Sequence, residues 1–273
     1  MSIGILNNVS ALDAENSLTT TQASLNKTLE QLASGQRINS GADDPAGLAI
    51  ANGLSANIAA LTQSEQNAND GIGSLNVADG ALSQVTTLLN TAVTLATEAS
   101  TGTVSSTQRT ALDSEYQQIT AEIDRIGSTT AYNGASVFSA ATTSIFLTDG
   151  SSSSTITSSV GALSSSGLGL SGTALTGADG TSAQAALTKI NTAIQTVASD
   201  RGTVGAAVNR LTDASAVISV QVQNLTAAEN NIMAADIPTA ISSLSSESVL
   251  SQTGYAALAQ ANTQEQNVLT LLH

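Results

Sequence analysis

Asp43 and Asp44 stand side by side in "GQRINSGADDPAGLAIA", residues 35–51, six and seven positions after Arg37. Two carboxylates invite one chemical reading, a general acid/base pair. That chemistry needs the two groups to converge on a substrate from the walls of a pocket. Neighbouring residues at a helix start do not converge in that way. Asp44 directly precedes Pro45 and an apolar run. This order reads as a helix N-cap: the acid accepts from free N–H groups and favours the positive end of the helix dipole, while Pro fits the first turn. Arg37 either pairs with one of the acids across the turn or stands solvated, and the sequence leaves both open.

The remaining candidates for chemistry are few. "GLGLSG" at 167–172 matches the G-x-G-x-x-G spelling. A dinucleotide site would also need a strand before it, a helix opening on the last glycine and an acid some twenty residues on. The flanks "SSSVGALSSS" and "TALTGADGT" read instead as a low-complexity turn. Lys27 and Lys189 are the only lysines, and neither lies in an apolar run that would activate an amine. Cysteine is absent and the one histidine is His273, so thiolate metal sites and His-dependent triads lack their parts. The sequons "NKT" at 26 and "NLT" at 224 fall on expected helices. No catalytic, metal-binding or cofactor-binding residue is assigned, and the expectation is a protein that is not an enzyme and uses no cofactor.

The elements that hold these residues follow from periodicity. In residues 5–34, Ile5, Val9 and Leu12 and then Leu18, Leu25, Leu29 and Leu32 keep helical spacing. Gly35 and Gly41 interrupt it, and a second helix is expected from about Ala46 to Ser100. There Leu61, Ala68, Leu75, Leu82, Leu89 and Ala96 fall seven apart, a narrow coiled-coil-like seam. A helix of about 50 residues spans on the order of 75 Å. Leu112, Tyr116, Ile119, Ile123 and Ile126 mark a third helix, and Asn133-Gly134 a turn. Residues 135–182 turn to Ser, Thr, Gly and Ala with short apolar runs and predict short strands and turns. Helical pattern returns near 182, with a weak point expected at Arg201-Gly202. Val204, Leu211, Ile218, Leu225 and Ile232 then recur at sevens. Pro238 is expected to kink or restart the chain. A last helix carries Ile241, Leu244, Leu250, Leu258, Val268 and Leu272 as its stripe.

Composition narrows the class of partner. Of 273 residues 41% are apolar, yet there is no Trp, and Ala, Leu, Val and Ile make up most of that fraction. Small aliphatic residues suit close helix packing. Seven basic residues against twenty-one acidic ones give a net charge of -14, which disfavours nucleic acid and anionic membranes. The N-terminus does not read as a cleaved secretory signal, and no run of about 18 apolar residues predicts a membrane span. The fold class expected is mainly α: a long coiled-coil-like helical bundle built from both chain termini, with a small β-rich central segment.

Two blocks of this chain resemble bacterial flagellin. "LEQLASGQRINSGADDPAGLAIA" is similar to the N-terminal signature of that family, matching at Arg37, Ile38, Asn39, Asp43, Asp44, Ala46, Gly47, Leu48 and Ala49. "VGAAVNRL" at 204–211 and "LAQANTQEQNVLTLL" at 258–272 resemble the C-terminal signature, and "EIDRI" and "YNG" also match. The chain departs from the pattern at Pro45, where alanine is frequent, at Glu265, where proline is usual, and at Asn230-Asn231, where Ser-Arg is common.

The resemblance implies a structural subunit that self-assembles into the extracellular flagellar filament for swimming. It implies type III export without a cleaved signal, an export chaperone for the C-terminal helix, a filament cap and hook-junction proteins as partners. Its domains would be an N-terminal filament-core helix (1–40), two halves of a helical bundle (41–134 and 183–236), a short β/loop segment (135–182) and a C-terminal filament-core helix (237–273). Assembly residues carried over are Leu18, Leu25 and Leu32, then Arg37, Asn39, Asp43 and Asp44 at the junction. In the C-terminal half they are Asn209, Arg210, Leu258, Gln260, Asn262 and Leu272. The region that enteric flagellins present to an innate immune receptor is similar to "LNTAVTLA" at 89–96, where Leu95 and also Glu115 match. Thr91 stands in place of the key arginine and counts against receptor binding. The alternatives are the related hook–filament junction protein and a secreted acidic binding module.

Overall fold

The structure, a computed structural model, describes residues 8–139, 143–148, 153–158 and 160–271. Five helices account for most of it: α1 Val9–Ser34, α2 Pro45–Ser100, α3 Ser106–Thr129, α4 Thr181–Met233 and α5 Ile237–Leu271. Two small antiparallel hairpins complete it, β1 Ala131–Tyr132 with β2 Ala135–Ser136 and β3 Thr143–Thr148 with β4 Ser153–Ser158. The chain divides into two units, Met1–Ala56 with Asn224–His273, and Asn57–Gln223.

The second unit carries the larger core. All six seam positions of α2 from Leu61 to Ala96 are buried, between 0% and 4% exposed. On α4, Ala183, Ala186, Ile190, Ala193, Val197, Val204, Ala207, Leu211 and Ile218 are buried in the same three-four rhythm. The two seams approach closely because the residues between them are small. A Cβ on Gly71 would stand 3.3 Å from Leu211 and closer still to Ile145 of β3. Packing therefore outweighs the poor helix propensity of glycine here. The weak point expected at Arg201-Gly202 does not exist: α4 runs unbroken through it. Arg201 instead binds Asp79 of α2 through two hydrogen bonds of 2.8 and 3.2 Å, which anchors the helix where its glycine would loosen it.

Helix α3 begins with a capping box, Ser105 and Gln108 each bonding the other's backbone. Its buried Tyr116, Ile119 and Ile123 join the core. Its outer edge holds the segment before α4. Asp124 accepts from Ser165 N and Oγ, Gln117 donates to Thr173 O, and Asp113 accepts from Leu175 N. Residues 160–180 are therefore irregular but packed, with Leu163, Leu168, Leu170 and Leu175 buried. The strands expected across 135–182 are confined to the hairpins. "GLGLSG" is a turn, with Gly169 and Gly172 at φ 71° and 67°, and no helix opens on it.

In the first unit α1 pairs with α5 antiparallel. Asn8 Nδ2 donates to Ala261 O and Glu265 Oε2, both at 3.1 Å, and Leu18 fits against Gly254. Buried or part-buried positions on α1 recur at 11, 14, 18, 21, 25, 28 and 32, and on α5 at 240, 244, 247, 251, 254, 258, 261 and 265. Both follow the three-four repeat of a coiled-coil seam. The sequence stripe mixes two faces: Val9, Leu12, Leu29, Ile241 and Leu250 point away from this seam and are 43–63% exposed. Ala, Thr, Ser and Gly occupy most of the seam places the stripe omits, where the helices pack closely, and Glu247 and Glu265 take the other two. Ile5 and Leu272, and the side chain of Val268, lie outside the described residues. Pro238 restarts the chain. It is the second residue of α5, after a break at Ala234–Asp236 in which Asp236 accepts from the Thr239 hydroxyl.

Candidate functional site

The loop between α1 and α2 packs on the break between α4 and α5. Gly35 closes α1 in the left-handed conformation, φ 70°, which turns the chain so that its backbone meets residues 233–235. Arg37 N donates to Met233 O at 2.7 Å, Ala235 N donates to Gly35 O at 3.0 Å, and Gln36 bridges Ala234. Four residues of the expected assembly set, Arg37, Asn39, Asp43 and Asp44, come together in this loop.

The two acids do different local work. Asp44 caps α2: its Oδ1 accepts from Gly47 N at 2.9 Å, and its carbonyl takes the first helical bond from Leu48 N. A Cβ on Gly47 would collide with the Asp44 carboxylate and with Ile38, so glycine is what lets cap and apolar plug coexist. Ile38 is only 2% exposed. Asp43 faces the other way. Its Oδ2 accepts from Asn39 N, Ser40 N and Ser40 Oγ, while its Oδ1 lies 2.7 Å from Lys27 Nζ. The ammonium of Lys27, seconded by Ser40, lowers the Asp43 pKa to about 2. Neither acid is presented to a substrate.

Arg37 does not pair with either acid. Its guanidinium donates to Ile232 O at 2.8 Å, and Lys27 supplies the cation that Asp43 binds. The open cleft between them, about 230 Å³, is lined by Lys27, Gln31, Arg37, Ile38, Asp43 and Asp44. Lys27 lies in α1 two turns before its end, so no local spacing rule pairs it with Asp43 across the loop. Asn39 has both amides occupied within the loop, its side chain donating to Gln36 O.

The other expected assembly residues are dispersed. Leu18, Leu25 and Leu32 lie half-buried on the α1 seam and Leu258 on that of α5. Gln260 and Asn262 are exposed on α5, while Asn209 and Arg210 are exposed on α4 in the other unit. Thr91 is exposed, Leu95 buried and Glu115 exposed.

One residue with strong chemistry has no signature in the sequence. Arg109, 1% exposed, donates to Ala99 O, Thr101 O, Gly177 O and Ala178 O at 2.8–3.2 Å. It joins the C-terminal end of α2 to the start of α3 and to the segment entering α4. The unspent carbonyls at the end of α2 suit a cation. Among the described residues no group of acids and histidines has the arrangement of a metal site, and no helix is long and apolar enough to cross a membrane.

Comparison with known proteins gives a consistent picture. The family description "Bacterial flagellin N-terminal helical region" matches residues 5–143, and "Bacterial flagellin C-terminal helical region" matches residues 187–272. The flagellin of Halalkalibacterium halodurans is 34% identical over 271 residues, 98% of this chain and 99% of that one. A flagellar filament 30.7 kDa core protein of Treponema maltophilum is 31% identical, with 98% of this chain and 99% of that one covered. A crystal structure of Bacillus cereus flagellin is similar with a TM-score of 0.50 at 32% identity, covering 60% of this chain and 94% of that one.

Proposed function

The chain belongs to the bacterial flagellin family, and from that premise we propose how it does its work. It is a structural rather than enzymatic protein, a subunit that self-assembles into the flagellar filament, and its place is the extracellular flagellum. We infer that the outer faces of α1 and α5 carry the contacts between subunits. The observation behind this is the apolar surface that their pairing leaves over: Val9 and Leu12 on one helix, and Ile241, Val249, Leu250 and Tyr255 on the other, each 49–63% exposed. Fully burying a Val, Leu or Ile side chain gains about 1.5–3 kcal/mol. Neighbouring copies that cover these faces therefore gain a large part of the free energy of assembly. Leu18, Leu25, Leu32 and Leu258 act one step earlier by holding the pair together. Gln260 and Asn262 offer exposed polar contacts on α5, and Asn209 and Arg210 offer them separately on α4.

The finer proposals rest on family membership. The chain leaves the cell by flagellar type III export without a cleaved signal. An export chaperone takes the C-terminal helix, a cap complex receives subunits at the growing tip, and junction proteins join the filament to the hook. Thr91 leaves the innate receptor without its arginine contact. Negative-stain electron microscopy after salting out, comparing the full chain with one lacking residues 1–34, tests the role of α1. Filaments from the full chain alone are expected. Filaments of equal length from the truncated chain would remove α1 from the assembly surface.

A further inference from the structure

We propose that the cleft beside Asp43 receives a carboxylate side chain from a second copy of this chain, held by Arg37 and Lys27. The proposal rests on the reading of the chain as a self-assembling subunit and names the chemistry of one contact. By formal charge the cleft is balanced, with Lys27 and Arg37 against Asp43 and Asp44. By hydrogen bonding it is not. The Asp43 carboxylate already accepts from Lys27, from Ser40 N and Oγ and from Asn39 N, and Asp44 is turned onto Gly47 N at the start of α2. Gln31 spends its amide on Arg37 O.

The donors are largely unspent. A guanidinium carries five N–H groups and an ammonium three. The hydrogen bonds and ion pairs described for Arg37 and Lys27 engage one group each, Ile232 O and Asp43. Both side chains are exposed. A cleft whose acceptors are engaged and whose free capacity is cationic donor takes an anion. A guanidinium matches a carboxylate with two parallel hydrogen bonds.

The occupant follows from charge. Lys27 and Arg37 are the only Lys or Arg residues in Met1–Ala56 and Asn224–His273, against nine Asp and Glu. Copies of a chain with a net charge of -14 repel one another. A regular polymer of such chains lowers that repulsion by setting its few free cations against acids of the next copy. Arg37 is placed to do so, because Asp43 is already paired with Lys27 and Asp44 is turned onto the start of α2.

The test uses Arg37→Lys, which puts a primary amine at the site, polymerised from an equal mixture of ¹⁴N- and ¹⁵N-labelled chains. A water-soluble carbodiimide then joins an amine to a carboxylate as an amide, taking up the water lost as it becomes a urea. The expected product is a mixed-isotope peptide pair linking residue 37 of one copy to Asp or Glu of another, with same-copy Lys27–Asp43 as the internal control. Filaments in which residue 37 links only within its own copy, to an added acidic protein alone, or to nothing overturn the proposal. Wild-type chain supplies a second readout. Phenylglyoxal is expected to modify Arg37 more slowly in filaments than in free chains, and Arg37→Gln is expected to raise the critical concentration roughly 2–5-fold. Equal reactivity in both states, or an unchanged critical concentration, counts against it. Failure of the wild-type chain to polymerise at all would instead sink the assembly reading itself.

Discussion

Replacing Arg109 by Met should unfold the second unit at a much lower temperature, and the size of the effect follows from its partners. The guanidinium makes four hydrogen bonds, all to main-chain carbonyls, at 2.8–3.2 Å. No carboxylate bonds the guanidinium, although its charge, behind the hydrogen bonds from Thr181, helps to lower the pKa of exposed Asp179; the charge is held by carbonyl dipoles, two of them at the negative end of α2. Met fills much of the volume, which keeps the cavity cost small. It cannot satisfy the carbonyls, and a buried polar group left without a partner costs about 1–3 kcal/mol. Exposure of the irregular segment at 177–178 lets water reach part of the set, since Gly177 is only half-buried and Ala178 is exposed. Counting the buried half in full and the rest weakly gives about 3–5 kcal/mol. For a unit of this size each kcal/mol moves Tm by about 2–4 °C, so a fall of about 6–20 °C is expected. Circular dichroism at 222 nm during thermal unfolding of the full chain reads it. Arg109→Lys should fall between, because an ammonium cannot span four acceptors in a plane. A loss below about 1 kcal/mol for Arg109→Met would mean that desolvating the guanidinium cancels its hydrogen bonds, and the account of this junction would be wrong.

Four further outcomes follow from the same kind of reasoning. Gly80→Ala in α2 meets nothing within 4 Å and should stabilise by about 0.5–1 kcal/mol through helix propensity. Gly47→Ala in the same helix collides with Asp44 and Ile38 and should destabilise by about 1–3 kcal/mol through the lost cap and displaced plug; denaturant midpoints of the two variants separate them. Tyr116→Phe should be neutral or stabilising by up to about 1 kcal/mol, because the Tyr116 hydroxyl is buried with no hydrogen-bond partner among the described residues. Burial raises the phenol pKa, and the Thr173 hydroxyl, close enough to lower it in smaller part, lies outside hydrogen-bond geometry. Asp43 has a folded pKa near 2, below the ordinary value of 3.8, held down first by Lys27 and then by Ser40. A depressed carboxyl pKa stabilises above the unfolded value, and that contribution fades as pH falls from about 4 through about 2. Solid-state NMR of filaments should show the Ser40 amide titrating in that window, and Asp43→Asn should abolish the titration.

The helical frame was legible because it is periodic. Residues 61 to 96 in α2 and 204 to 218 in α4 carry an unbroken heptad, and each of those positions is buried. The cap at Asp44 was legible because it is local: acid, Pro and apolar run lie within a few residues and state their own geometry. Asn133-Gly134 was legible for the same reason, its backbone at φ 48° and 78° closing the β1–β2 hairpin.

What the sequence could not decide was which far-apart residues meet. The break expected at Arg201-Gly202 is suppressed by Asp79, 122 residues away. Asp43 takes its cation from Lys27 rather than Arg37, because α1 brings the ammonium to the loop while the guanidinium is drawn to the carbonyls left by the end of α4. The true α1–α5 seam includes Thr28 and Gly254, which no hydrophobic count selects, since close helix packing rewards small residues over apolar ones. Arg109 is the plainest case. In sequence it is an ordinary basic residue in the first turn of α3. It becomes a buried junction only when three chain segments bring their main-chain carbonyls to one point. The chain's composition and period settle that it forms long, narrow-seamed helices with acidic surfaces. The tertiary structure alone decides where its few cations go, because that depends on which main-chain oxygens folding leaves without a donor.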